Sequence, residues 1–222
     1  MAKQVSKNMN HIHNFKFKNL IKYLLSFCLL VFCFASCKEE SKDLPFVGNA
    51  EEVDGKLVYP TIGEIKHFDQ DSTAIINANF KDKLLVADFF FTSCPSICPK
   101  VMKEMMKIHE EIKALENVEM LSFTIDPKRD NVEKLKLYAD NLGVDQLRWR
   151  FLTGDKDETF KLANTFFVPA MEDPNAPGGF DHSGKIILVD YDGHVRAFTE
   201  GTETEGTNAF IEKVKMLATT GR

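Results

Sequence analysis

The sequence predicts an α/β sandwich: a mixed central sheet flanked by helices, with a small N-terminal hairpin ahead of it. Three observations carry that prediction. Segments of strand and helix character alternate from Leu84 onward, two strand-like segments then stand side by side across an Asp-Gly turn, and a helix closes the chain. Alternation of this kind covers a sheet with helices, and the late hairpin makes the sheet mixed rather than purely parallel.

Residues 1–37 stand apart from that body. They carry five Lys and no Asp or Glu, and Lys16, Lys18 and Lys22 precede an apolar run from Tyr23 to Phe34. The run is too short for a spanning helix, which needs roughly 20 residues. A basic start followed by a short apolar core reads as a secretory signal. Phe34-Ala35-Ser36-Cys37 follows, and small residues directly before a cysteine resemble a bacterial lipobox. That resemblance implies lipidation of Cys37 and a membrane anchor. Cys28 and Cys33 fall inside the apolar run and read as small hydrophobes. Residues 38–46 are a charged tether, and residues 47–222 are the folded domain. Without the first 37 residues, 23 basic side chains face 33 acidic ones, formally −10. An acidic body argues against nucleic acid as a partner.

Within the domain, residues 44–83 mix short apolar stretches with turn residues. Val53-Asp54-Gly55-Lys56-Leu57 has the Asp-Gly turn of a hairpin. Leu84 to Phe91 is apolar except for Asp88, as a buried central strand would be. Pro99 to Leu115 has helical spacing, with Pro99 suited to the first turn. Val118 to Ile125 is a strand. Asn131 to Leu142 is a helix stopped by Gly143. Arg148 to Leu152 is a short strand, and Asp155 caps a helix reaching Phe166. Val168 to Asp181 is a long loop with Pro169, Pro174, Pro177, Gly178 and Gly179, and loops of that length in compact domains are usually functional. Lys185 to Asp190 and Val195 to Glu200 are the paired strands, and Thr207 to Ala218 is the closing helix. That order is compatible with a thioredoxin-like fold.

The chemistry concentrates in Phe89-Phe90-Phe91-Thr92-Ser93-Cys94-Pro95-Ser96-Ile97-Cys98-Pro99, between a strand and a helix. Thiols at i and i+4 share a helix face. A helix N-terminus stabilises thiolate, the species that binds soft metals and also attacks disulfides. Two soft thiolates suit copper, and a histidine would complete a trigonal site. His109 reads as a partly exposed helix residue, His194 as a surface turn residue, and His67 has no evident partner. His182 ends the long loop beside Asp181, which is placed to orient its ring. By position alone His182 is equally an ordinary loop histidine.

Three motifs in order, the cysteine segment, Thr124-Ile125-Asp126-Pro127-Lys128-Arg129-Asp130 and Asp181-His182-Ser183, resemble the Sco/SenC family from about Leu44 to the C-terminus. The resemblance implies a thioredoxin-like fold and one copper per chain, Cu(I) or Cu(II), held by Cys94, Cys98 and His182. It implies work on the dinuclear copper site of cytochrome c oxidase, as copper carrier or as reductant of its cysteines. The partners would be that copper-site subunit or another cuproprotein, together with other copper carriers. Asp126 matches the family's acidic residue and supports either the site or a cap; Asp130 reads as the cap of the following helix. A thiol–disulfide oxidoreductase using Cys94 and Cys98 is the alternative. A peroxidase would need Thr92 three residues before Cys94, and it is two. A copper sensor is the remaining reading.

Overall fold

The computed structural model describes residues 43–220. The signal segment, Cys28, Cys33, Cys37 and tether residues 38–42 lie outside the described residues. The hairpin forms as its turn chemistry requires. Strands β1 (Glu51–Val53) and β2 (Lys56–Val58) pair antiparallel. Asp54 and Gly55 take φ of 51° and 74°, the two left-handed positions of a type I′ turn.

The main sheet has seven strands: β3 (Lys66–Asp69), β4 (Ala74–Ile76), β5 (Leu84–Phe90), β6 (Val118–Thr124), β7 (Trp149–Gly154), β10 (Lys185–Val189) and β11 (Val195–Glu200). Their order is β11-β10-β5-β6-β7-β3-β4. β5, β6 and β7 run parallel, while β10, β11, β3 and β4 complete the sheet antiparallel. The mixed sheet is therefore as the sequence implies. β5 lies second from neither edge but between β10 and β6, and all seven of its residues are buried. Its continuous apolar character follows from burial on both faces.

Helices α1 (Cys98–Ile112), α2 (Val132–Leu142), α3 (Lys156–Thr165) and α4 (Thr204–Thr220) cover the sheet. Sequence signals set their ends. Asn131 and Asp155 accept from the backbone N–H of Lys134 and Glu158 as N-caps, and Gly143 closes α2 at φ 66°. No helix among the described residues is long and apolar enough to cross a membrane.

Two features depart from the sequence expectation. Residues 44–83 supply β3 and β4 to the main sheet. The loop 168–181 also contains most of a separate hairpin, β8 (Ala170–Glu172) with β9 (Phe180–His182).

Strand register determines where the site assembles. Ile186 of β10 lies opposite Asp88 of the antiparallel β5. Following the chain backwards from Ile186 therefore leads toward the residues after Phe90. In β6, Thr124 lies opposite Phe90, so Asp126 emerges beside Thr92. The cysteine segment, the Asp126 segment and the chain before β10 all converge at the C-terminal ends of the parallel strands, where α/β sites form.

Candidate metal centre

Cys94 lies in the turn leaving β5, with its N–H donating to the Phe91 carbonyl at 3.2 Å. Cys98 opens α1 and is followed by Pro99, whose missing N–H costs nothing in a first turn. His182 ends β9. One ligand atom from each of Cys94, Cys98 and His182 lies within 4.8 Å of the others. Cys98 Sγ is 3.7 Å from His182 Nε2. Both cysteines are free thiols and buried, and His182 is half-buried.

The tautomer of His182 follows from its partners. Nδ1 lies 3.1 Å from the Ser183 carbonyl oxygen. A carbonyl only accepts, so Nδ1 carries the proton and Nε2 presents its lone pair toward Cys98. Burial lowers the imidazole's pKa, against the opposing pull of the Ser183 carbonyl and the Asp181 charge. A neutral ring with a free Nε2 is the form that ligates metal.

The two thiols are unequal. Burial pushes the Cys94 thiol up, but the Cys98 thiol, the backbone N–H groups of Ser96 and Cys98 and the Ser96 hydroxyl hold it below the ordinary cysteine range. The Ser96 N–H lies in the turn just before α1 and the Cys98 N–H in its first turn, where backbone donors have no partner within the helix. Cys98 moves the opposite way. Burial raises it far above the usual range, and the neighbouring Cys94 adds to that. Cys94 is thus the more acidic thiol of the pair and the first to lose its proton, and Cys98 is the less acidic.

The segment Asp126–Asp130 ties the site together. Asp130 is fully buried. Its carboxylate accepts from Thr92 N–H at 2.9 Å, from the Thr92 hydroxyl, and from the Thr124 hydroxyl at 2.7 Å. The expectation that Asp130 caps α2 is corrected: Asn131 is the cap, and burial against the cysteine turn draws Asp130 inward. Asp126, 4% exposed, pairs with Arg129. Arg129 Nη2 donates to the Gly178 carbonyl at 2.8 Å, and its guanidinium lies 6.0 and 5.8 Å from the Phe91 and Phe180 rings. One short segment therefore holds the cysteine turn through Asp130 and the histidine hairpin through Arg129. Gly178 sits so close to Phe91 that a Cβ there would lie 2.6 Å from the ring.

The other sequence candidates fall elsewhere. Asp181, read as orienting the ring, is exposed, because alternate residues of β9 face opposite ways. The Ser183 carbonyl orients the ring instead. His67 is buried and bonded to Thr159 Oγ1 at 2.9 Å. His109, expected to be partly exposed, is 7% exposed and packs against Trp149. His194, expected at the surface, is half-buried, with Nδ1 3.0 Å from the Pro60 carbonyl. Thr92 spends its hydroxyl on Asp130, which removes it from any peroxide-polarising role. Sequence reasoning missed the clamp made by Arg129 and Asp130, although both stand in the motif it singled out.

Comparison with known proteins places this geometry. The sequence matches the SCO1/SenC family over residues 57–219. It is 31% identical over 153 residues to the SCO1 protein homolog of Bacillus subtilis, covering 68% of this chain and 79% of that one. The fold is similar to a SCO1/SenC family lipoprotein from Bacillus anthracis, at TM-score 0.66 and 27% identity over 72% of this chain and 95% of that one. It is similar to BsSco, a member of the Sco family of cytochrome c oxidase assembly proteins with an identified disulfide switch, at TM-score 0.64 and 28% identity, covering 72% and 94%. It is also similar to Bradyrhizobium japonicum ScoI with copper bound, at TM-score 0.58 and 26% identity, covering 69% and 99%. A match over most of the chain, with the family's motifs gathered at one end of its sheet, makes this protein a member of the SCO1/SenC family.

Proposed function

We propose that the chain holds one copper ion through Cys94, Cys98 and His182 and serves the assembly of the dinuclear copper site of cytochrome c oxidase. The observation that carries this reading is the donor set: two thiols and a neutral imidazole within 4.8 Å of one another. Thiolates select a soft ion such as Cu(I), and the imidazole also accommodates Cu(II). The residues do the preparatory work. The start of α1 favours the Cys94 thiolate, the Ser183 carbonyl aims Nε2, and the Asp126–Asp130 clamp sets the distance between the two halves. Relatives support the reading, since ScoI is known with copper bound and BsSco belongs to a family of oxidase assembly proteins. The tethered reading rests on the lipobox-like Cys37 and on a relative described as a lipoprotein. It puts the domain, residues 47–222, on the extracytoplasmic face of a bacterial envelope. The test is competition for Cu(I) against a chromophoric chelator. The parent should take one ion per chain, Cys94→Ser and Cys98→Ser should lose it, and His182→Ala should hold it more weakly. Equal retention by the cysteine variants would end the reading.

The inequality of the two thiols favours a second use of the same pair. The Cys94 thiolate attacks a partner disulfide, forming a mixed disulfide and releasing a partner thiolate. Cys98 then attacks Cys94 Sγ, and its proton goes to the departing sulfur or solvent. Two electrons pass to the partner, and a Cys94–Cys98 disulfide remains. This chemistry should survive His182→Ala; loss of reductase turnover in that variant would refute it.

A further inference from the structure

Sulfur does not end at the two thiols. Cys94, Cys98, Met102 and Met106 follow one another at four-residue intervals. Cys98, Met102 and Met106 stand on α1, where that interval puts side chains on one face roughly 6 Å apart, and Cys94 lies in the turn before it. All four line one cavity of about 370 Å³ between α1 and α2, with Phe91 and Tyr138 as its aromatic walls. Met102, 4% exposed, is as buried as the core-facing Val101, Met105, Ile108 and Ile112 of α1, but it also lines the cavity, which those four do not. Met106 is half-buried at the cavity's edge, so its thioether reaches space that the core residues do not. Lys103, the only charged residue lining the cavity, is exposed. A second cavity of about 390 Å³ lies at the far end of β5, around Leu85 and Tyr191, and no sulfur lines it.

We propose that Met102 and Met106 form a second, weaker site for a soft monovalent metal ion, a transit point between solvent or a partner and the Cys94–Cys98–His182 centre. This rests on the copper reading above. Thioethers are soft, neutral donors that accept Cu(I) or Ag(I) and discriminate against hard cations. Passage inward is ligand exchange. A bond forms from Cys98 sulfur to the ion as a Met–ion bond breaks, and the thiol proton leaves to solvent. The ion stays monovalent, and no electron changes hands.

The test uses the full chain labelled with ¹³C at the methionine methyl groups and titrated with Ag(I), a redox-inert stand-in for Cu(I). The first equivalent should occupy the thiol centre, and the next should shift the Met102 and Met106 methyl signals. Met171, exposed on β8, should not move. Met102→Leu with Met106→Leu, a nearly volume-conserving pair, should lose the further equivalent, keep the first, and slow Cu(I) passage to an external chelator. A first equivalent at the thiol centre with no shift at Met102 and Met106 would overturn the inference and leave the copper reading standing. Methionine shifts in a chain whose thiol centre takes no ion would sink the copper reading instead, and the second site would stand.

Discussion

Replacing Asp130 tests whether the clamp holds the cysteine turn in place. Its carboxylate receives three hydrogen bonds, two from Thr92 and one from Thr124. Hydrogen bonds to a charged group contribute about 1.5–3 kcal/mol each, and stranding a buried donor costs about 1–3 kcal/mol. These contributions share one side chain and do not add in full, so Asp130→Ala should cost about 3–5 kcal/mol. Asp130→Asn keeps one acceptor oxygen but turns N–H toward groups that donate, and should cost about 1–3 kcal/mol. Urea unfolding of the reduced, metal-free chain measures both. With a slope of about 1–3 kcal/mol per molar urea, the Asn variant should unfold at roughly 1 M less urea than the parent. The reasoning fails if both variants unfold within ~0.5 kcal/mol of the parent, the scatter expected of an ordinary surface change.

Further outcomes follow from the same contacts. Gly178→Ala puts a methyl against Phe91 and requires φ of 81° from an alanine, so it should cost about 1–3 kcal/mol and weaken copper retention by displacing the His182 hairpin. Urea unfolding and chelator competition read the two effects. Arg129→Lys should leave metal-free stability within ~1 kcal/mol, because the guanidinium is half in solvent and lysine keeps the charge beside the buried Asp126. It should still change the copper absorption spectrum, since lysine cannot span Asp126 and Gly178 with a fork; an unchanged spectrum would remove Arg129 from the clamp. Two buried groups outside the site set opposing pH slopes. Burial lowers His67 to about 4, so its contribution is complete above pH ~6.5 and lost as pH falls toward 4. Burial raises Asp88 to about 7 against the Ser122 hydroxyl, so its contribution is complete below pH ~4 and lost as pH rises through 7. Asp88→Asn removes only the second slope. Relative to the parent it should gain about 2–3 kcal/mol in unfolding free energy between pH 5 and pH 7.5; a difference independent of pH would contradict the assignment.

Much of the fold is legible in the sequence because its signals are physically strong. β5 is apolar except for Asp88 as it is buried on both faces, and α2 and α3 carry caps whose side chains make the expected bonds. β3 hides for a specific reason. Its inward residues are His67 and Asp69, at 2% and 1% exposure, while Phe68 faces out at 52%. Hydrophobic alternation therefore reads backwards there. Asp69 is affordable inside because it accepts from Arg150 at 2.9 Å and from the Asp71 and Thr73 N–H groups. β8 and β9 are three residues each, too short for any alternation to register.

The centre divides the same way. Cys94 and Cys98 stand out by their spacing and position. His182 requires tertiary knowledge, since only the antiparallel register of β10 against β5 carries it to the cysteine turn. The partner of its ring is a backbone carbonyl, which no side-chain pattern announces. Asp130 follows a similar logic: its bond to Thr92 spans 38 residues and depends on β5 and β6 being parallel neighbours.

X-ray absorption at the copper edge tests the central claim most directly. The full chain, reduced and loaded with one equivalent of Cu(I), should show two sulfur scatterers and one nitrogen. His182→Ala should lose the nitrogen, and each cysteine-to-serine change should lose a sulfur or the metal itself. A copper environment of nitrogen and oxygen alone in the parent, or a spectrum unaffected by all three substitutions, would contradict the account.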